Sequence, residues 1–355
     1  MKVYLETYGC TANKSDSEII AGLLKEKGFE LVDSPENSDL NIINTCIVKT
    51  PTEQRMKFRI KQLTKIGKPL VVAGCMTKTE QKIIEKINPN TTMIGPDSIE
   101  RIVDAAEEAL KGNKVIYKKN LRKPKINLPR LEKSVHITQI STGCNGNCSY
   151  CIVKLAKGEL FCYPSDLIIK DIEKAVKNGC KEIRITSQDN ATYNYEGVKL
   201  PELLKEICKI EGKFSIRVGM MNPSSVKIIL DELIDVYKNE KIRKFLHLPL
   251  QSGSDRILKL MNRGYKSKDF VEIVERFRKE IPDLFLSTDV IVGFPGETEE
   301  DFNMTLELLK NLKFDKVNIS KFGPRPGTLA SRMKQLNPNI IKQRSKILHE
   351  ICKKN

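Results

Sequence analysis

The sequence predicts an α/β protein in two parts: an N-terminal doubly wound parallel-sheet domain, then a partial barrel of six strand–helix units. Three observations predict it. Strand-like and helical segments alternate regularly along the chain. The length, 355 residues, exceeds what one ordinary core organises. A stretch with seven basic residues and two prolines, Lys118 to Ser134, separates a first run of alternations from a second. The expected divisions are 1–117 for the sheet domain, 118–134 for a basic linker, 135–330 for the barrel and 331–355 for a helical tail.

In the first part "KVYLETYG" reads as a strand, followed by the amphipathic "KSDSEIIAGLLKEKG" with Gly28 as a helix stop. "DLNIINT" precedes the helical "TEQRMKFRIKQLTKIG", and "PLVVAG" precedes "KTEQKIIEKIN". "TTMIG" is a fourth strand before "SIERIVDAAEEALKG". From Val135 six more strands follow: "VHITQIS", "EIRITS", "FSIRVGM", "KFLHLPL", "LFLSTDVIVG" and "KVNISKF". Helical runs separate them, with starts marked by Ser165 and Thr298. Six repeats suit an incomplete barrel, whose chemistry sits on the loops after the strands.

Composition narrows the class. Hydrophobic residues make up 40% of the chain, enough for sizeable cores, and no apolar run reaches the ~18 residues of a membrane span. The N-terminus lacks the basic start and apolar stretch of a signal peptide, so a cytoplasmic protein with no membrane partner is expected. A formal charge of +16, from 61 Lys and Arg against 45 Asp and Glu, favours a polyanionic partner, nucleic acid first. Ten cysteines are too sparse for a disulfide scaffold and stay reduced in a cytosol, which leaves metal or cluster ligation for those with meaningful spacing.

Two cysteine sets have it. Cys10, Cys46 and Cys75 each close a predicted strand of the first part. In an open parallel sheet ligands bind beyond the carboxyl ends of strands, so the fold gathers residues distant in sequence. The second set, Cys144, Cys148 and Cys151, lies in "GCNGNCSYC" directly after the first barrel strand. Three soft thiolates on one turn suit three irons of a 4Fe-4S cube and leave the fourth iron open. Structural zinc takes four closed ligands, and the histidines, His136, His247 and His349, stand elsewhere in the sequence.

This spacing after a barrel strand resembles the radical S-adenosylmethionine superfamily. The resemblance implies that the open iron binds S-adenosylmethionine and that an electron cleaves its sulfonium to a 5′-deoxyadenosyl radical. Tyr150 then matches the aromatic position near the adenine. Together with "TYGCTANKSDSE", "NTC" and "VAGC", the motif "GCNGNCSYCIVKLAKGE" resembles the methylthiotransferase family across essentially the whole chain. "HLPLQSGSDRILKLMNRGY", "DVIVGFPGETEEDF" and "KFGPRPGT" agree. "CIVKLAKGEL" and "TSQD" are most similar to the archaeal and eukaryotic branch that acts on N6-threonylcarbamoyladenosine in tRNA, next to the anticodon. Bacterial relatives more often have proline where Lys154 stands.

The resemblance implies two 4Fe-4S clusters. One on Cys144, Cys148 and Cys151 generates the radical; an auxiliary one on Cys10, Cys46 and Cys75 presents the sulfur. Carbon 2 of adenine carries a hydrogen that is not acidic, so acid–base catalysis has little to act on and no residue of that type is expected. One S-adenosylmethionine methylates the sulfur and a second supplies the radical. An electron-donor protein and a sulfide source are implied as partners beside tRNA.

Gln188, Asp189, His247 and Gln251, at strand ends, are candidate S-adenosylmethionine or substrate contacts; a helix cap for Gln188 and Asp189 and an interior role for His247 are the alternatives. Arg325 in "GPRPGT" is a candidate for the threonyl carboxylate. Glu297, Glu299 and Glu300 read mainly as a helix start. Asn194 stands where the family usually has glycine, and the chain ends at "LHEICKKN", so the small C-terminal RNA-binding β-barrel of family members is expected to be absent. Three functions stay open: this tRNA methylthiotransferase, one acting on another adenosine or a protein side chain, and a non-catalytic iron–sulfur RNA-binding protein.

Overall fold

A computed structural model describes residues 1–48, 50–118, 122–131 and 134–352. Parts of the predicted linker, 119–121 and 132–133, and the last three residues of the predicted tail lie outside the described residues. The chain forms two compact units by more than one cut. Met1–Lys133, Ile137–Cys144 and Ile152–Tyr163 make the first; Ser134–His136, Asn145–Cys151 and Pro164–Asn355 make the second.

The first unit opens with β1 (Lys2–Thr7), α1 (Thr11–Glu26), β2 (Glu30–Val32), β3 (Leu40–Thr45), α2 (Thr50–Lys65) and β4 (Leu70–Gly74). It continues with α3 (Met76–Thr79), α4 (Gln81–Ile87), β5 (Thr92–Ile94), α5 (Ile102–Leu110) and β6 (Ile116–Tyr117). All six strands pair in parallel, in the order β2-β1-β3-β4-β5-β6. Strands β3 and β4 are buried throughout, and successive residues alternate between faces. Ile42 and Val71 join α1 and α5 in one core; Ile43 and Val72 join α2 and α4 in the other. The sheet is therefore doubly wound as predicted. The edge strands β2 and β6 were not predicted: three and two residues are too few to show a period.

The described part of the predicted basic linker packs on α1. Lys125 is buried and donates to Asp16 at 2.8 Å, and the Leu131 amide donates to Glu18 at 3.1 Å. A Cβ on Gly22 would fall 2.3 Å from the Pro129–Arg130 backbone, so glycine there lets the segment lie flat on the helix. Following it come β7 (Val135–Gln139), β8 (Ser141–Thr142), α6 (Val153–Lys157) and β9 (Phe161–Cys162), where β8 and β9 pair antiparallel.

The second unit holds α7 (Ser165–Lys177), β10 (Glu182–Thr186), β11 (Asn194–Tyr195), β12 (Val198–Lys199), α8 (Leu200–Lys209), β13 (Ser215–Val218), α9 (Pro223–Val226) and α10 (Leu230–Tyr237). Then follow β14 (Phe245–His247), α11 (Asp255–Leu260), α12 (Ser267–Glu280), β15 (Phe285–Val292), α13 (Glu299–Leu312), β16 (Lys316–Lys321) and α14 (Pro338–Cys352). Two sheets, β13-β10-β7 with β10 and β13 parallel and the all-parallel β14-β15-β16, meet through a bridge from Ile216 to Ile242 and a bond from the Met221 amide to the His247 carbonyl, 3.0 Å. Six strands thus stand in chain order, as the sequence predicts for a partial barrel. The C-terminal α14 belongs to this unit: Ile341 packs at Gly293, and Arg344 forms a buried ion pair with Glu297 at 2.7 Å. Asn194 fits the β11–β12 hairpin without a left-handed backbone, and its side chain accepts from the Gly197 amide at 3.1 Å. Among the described residues no helix is long and apolar enough to cross a membrane.

Candidate functional site

The strand order reverses between β1 and β3, and the carboxyl ends beside that point are where open α/β sheets bind ligands. Cys10 follows β1, Cys46 follows β3 and Cys75 follows β4. Cys10 is exposed at the start of α1, where helix amides favour negative charge. Cys46 and Cys75 are buried. The loops are drawn together by amides. Asn13 donates to the carbonyls of Tyr8 (3.0 Å) and Thr45 (2.7 Å), Asn44 donates to the Asn13 carbonyl (2.9 Å), and the Cys75 amide donates to the Thr45 carbonyl (3.1 Å). Gly9 adopts φ +114°, and a Cβ there would stand 2.5 Å from the Cys46 Cβ and 2.9 Å from its sulfur. Only glycine lets this turn close on Cys46.

The chemistry of this donor set fits an iron–sulfur cluster. Burial pushes the Cys46 thiol up and the Cys75 thiol up to about 12; repulsion among Cys10, Cys46 and Cys75 adds to both. Buried thiols such as Cys46 and Cys75, within electrostatic reach of one another, resist ionisation unless a cation joins them, and a bound metal reverses that preference. Among the described residues no three Cys, His, Asp or Glu side chains converge on a point that would hold a single ion. A cube is held at separate corners and needs no such convergence.

The second cysteine set occupies the turn after β8. The Cys144 amide donates to the Gly158 carbonyl at 3.1 Å within the first unit. Within the second unit, Ser149 pins the rest of the turn. Its amide donates to Met261 (3.0 Å), its hydroxyl to Leu260 (2.8 Å), and its carbonyl accepts from Ala330 (2.8 Å). The Arg263 guanidinium is buried and spans from the Cys148 sulfur (3.3 Å) to the Asn222 side chain (2.8 Å). Tyr150 packs edge-on to Phe294 with centroids 6.4 Å apart, and burial holds its phenol neutral.

The other sequence candidates divide. Gln188 after β10 and Gln251 after β14 each bury a side-chain oxygen with no hydrogen-bond partner among the described residues, as does the Ser187 hydroxyl. Orphaned polar atoms at strand ends fit a polar cofactor such as S-adenosylmethionine. Gln251 also holds φ +64°, a left-handed conformation that costs energy outside glycine. Asp189 is committed internally instead: it accepts from the amides of Ala191 (3.2 Å) and Asn222 (3.0 Å) and from Ser225 (2.8 Å). It caps the loop, the structural alternative weighed from sequence. His247 is half-buried and bonded to Asp289 at 2.9 Å. Arg325 is buried in the turn after β16, whose carbonyl accepts from Thr328. Glu299 and Glu300 begin α13, with Thr298 as cap, whereas Glu297 binds Arg344. Sequence reasoning passed over Asn13, Asp16, Asn44, Lys157 and Arg263, although "CTANKSD", "NTC", "KLAKG" and "MNRGY" contain them.

Residues 138–309 match the Radical SAM superfamily, and residues 2–95 match Uncharacterized protein family UPF0004. Similar curated proteins carry one function name. A Pyrococcus horikoshii protein named as a probable threonylcarbamoyladenosine tRNA methylthiotransferase is 46% identical over 99% of this chain and 84% of its own length. A Methanocaldococcus jannaschii protein of the same name is 45% identical over 99% and 82%. A Xenopus laevis threonylcarbamoyladenosine tRNA methylthiotransferase is 35% identical over 99% and 65%. Among solved structures, a radical S-adenosylmethionine methyltransferase from Kitasatospora setae shares the fold, with TM-score 0.67 and 14% identity over 93% of this chain and 75% of that one. With both cysteine sets on their predicted loops and this identity along nearly its whole length, the chain belongs to the threonylcarbamoyladenosine tRNA methylthiotransferase family of radical S-adenosylmethionine enzymes.

Proposed function

We propose that the chain adds a methylthio group to carbon 2 of N6-threonylcarbamoyladenosine in tRNA, with Cys144, Cys148 and Cys151 holding the radical-generating 4Fe-4S cluster and Cys10, Cys46 and Cys75 the auxiliary one. When bound, the first cluster supplies the electron that cleaves S-adenosylmethionine, and the second supplies the sulfur to be transferred. The observation that carries the reading is the gathering of three sequence-distant cysteines at a sheet's switch point, in a chain that also carries a partial barrel of the radical class.

The chain's own residues serve this chemistry by holding and excluding. Asn13 and Asn44 fix the loops that present Cys10 and Cys46. Arg263 steadies the Cys148 sulfur and withdraws charge from it. Tyr150 offers an apolar wall for an adenine, and Gln188 and Gln251 offer acceptors for cofactor hydroxyl or amino groups. Arg325 is the candidate partner of the threonyl carboxylate, matched as guanidinium to carboxylate. An electron-donor protein and a sulfide source complete the cycle, in the cytoplasm where tRNA is found.

The test is mass spectrometry of tRNA nucleosides from a deletion strain. Loss of the methylthio nucleoside, with its return on complementation, is the expected result. Its persistence overturns the acceptor assignment and points to a different adenosine or a protein side chain.

A further inference from the structure

Beside the auxiliary cysteines lies a buried charge set with an excess of cation. Lys157, the last residue of α6, keeps only 3% of its side chain exposed, and its ammonium has no hydrogen-bond partner among the described residues. The nearest carboxylate, Asp16, is 3.9 Å away and already accepts from Lys125 (2.8 Å) and from the Gln139 amide (2.7 Å). The other nearby acid, Asp97, pairs with Lys78. Two carboxylates therefore face three ammonium groups, of which those of Lys125 and Lys157 are buried and that of Lys78 is partly buried. An unmatched buried cation costs several kcal/mol, about the penalty of one desolvated ion.

The missing anion has an address. Ile152 and Ala156 of α6 pack in one apolar cluster with Cys46, Cys75 and Met76, the start of α3. After Asp16, the groups that act on the Lys157 ammonium are Cys75 and then Cys10. We infer that Lys157 is a positioning residue of the auxiliary site, whose ammonium donates to anionic sulfur held by the Cys10, Cys46 and Cys75 set while Asp16 and Gln139 orient it. That sulfur is either a sulfide or thiolate of the cluster itself or the exogenous sulfide awaiting transfer. The inference rests on the auxiliary-cluster assignment proposed above.

A cation at a cluster edge raises its reduction potential, because net charge and hydrogen bonds to sulfur set that potential. The test uses the full chain with Cys144, Cys148 and Cys151 changed to alanine, reconstituted anaerobically so that the auxiliary cluster alone is read. Midpoint potential by EPR-monitored titration is compared for Lys157, Lys157→Arg and Lys157→Met, with and without added sodium sulfide. Lys157→Met is expected to lower the potential by at least a tenfold change in reduction equilibrium, about 59 mV for one electron. Lys157→Arg is expected to restore most of it. A shift without sulfide assigns the contact to the cluster; a shift or weaker sulfide binding only in its presence assigns it to the exogenous sulfur. Unchanged potential and sulfide binding in an iron-loaded Lys157→Met overturns the inference. Should Lys157→Met lose its iron, Lys157→Gln and circular dichroism separate misfolding from a failed contact; equal behaviour of Arg and Gln variants also overturns it. If the triple alanine parent binds no iron, the auxiliary-cluster assignment itself has failed.

Discussion

The two cysteine sites reach the same donor set by opposite routes. Cys144, Cys148 and Cys151 lie within one short turn, so the sequence itself nearly determines their spacing. Cys10, Cys46 and Cys75 come from three strands, and their proximity exists only because β1, β3 and β4 pair side by side. The first site needs a turn held in place; Ser149 and Arg263 do that with a few bonds. The second needs the whole sheet plus a polar network of Asn13, Asn44 and Thr45. A local motif tolerates drift elsewhere in the fold, whereas a site assembled from strand ends inherits every error of the sheet.

The sharpest break of this comparison removes one site at a time. Changing Cys10, Cys46 and Cys75 to alanine should abolish methylthiolation while reductive cleavage of S-adenosylmethionine continues, with iron falling from about eight to about four per chain. The mirror variant, alanine at Cys144, Cys148 and Cys151, should abolish both activities and retain about four irons. Iron counting beside detection of 5′-deoxyadenosine decides; equal loss of cleavage in both variants would mean that the sites are not separable.

Gly9→Ala tests the dependence of the assembled site on its backbone. The φ of +114° and the 2.5 Å approach to Cys46 leave no room for a methyl group. The strain alone is worth about 1–3 kcal/mol. Auxiliary iron should be lost while cleavage of S-adenosylmethionine persists, and full iron loading of the variant would defeat the argument. Arg263→Lys probes the local site in turn. A lysine cannot span from Cys148 to Asn222 as a guanidinium does. The expected loss is roughly 10–100-fold in cleavage rate, as for other partners of metal ligands. Auxiliary iron should stay unchanged.

The smallest effect is expected at Asp189, a residue of the barrel whose carboxylate holds its own loop. Asp189→Ala leaves two amides and one hydroxyl without their acceptor and should cost about 1–3 kcal/mol of stability. Denaturation midpoints measure it. A loss of S-adenosylmethionine affinity without loss of stability would instead restore Asp189 to the cofactor-binding residues expected from sequence.

Much of this was legible before any coordinates. Alternating segments declared the parallel sheets, though Ile137–Cys144 and Ile152–Tyr163 group with the first unit, and the strand boundaries fell within a few residues because short runs such as "NIIN" and "VVA" are fully buried. The two cysteine sets stood out for two different reasons: close spacing for one, strand-end position for the other. What stayed hidden was polar and long-range. Nothing in "KPKINLPRLEK" announces that Lys125 turns inward to Asp16, since lysine is ordinarily a surface residue. His247 could be seen at a strand end, but its bond to Asp289 depends on two strands pairing in register.

Local pattern and covalent spacing were thus set by the sequence alone: the alternation of elements, the glycine turns, and the turn that bears Cys144, Cys148 and Cys151. The tertiary structure decided which distant groups became neighbours. It brought Cys10, Cys46 and Cys75 to one edge, committed Asp189 to its loop, and left the Lys157 ammonium buried beside thiols with too few carboxylates. The reason is physical. Periodicity reports which face of an element is buried, but charge balance and ligand geometry depend on distances across elements, which only the packed chain defines.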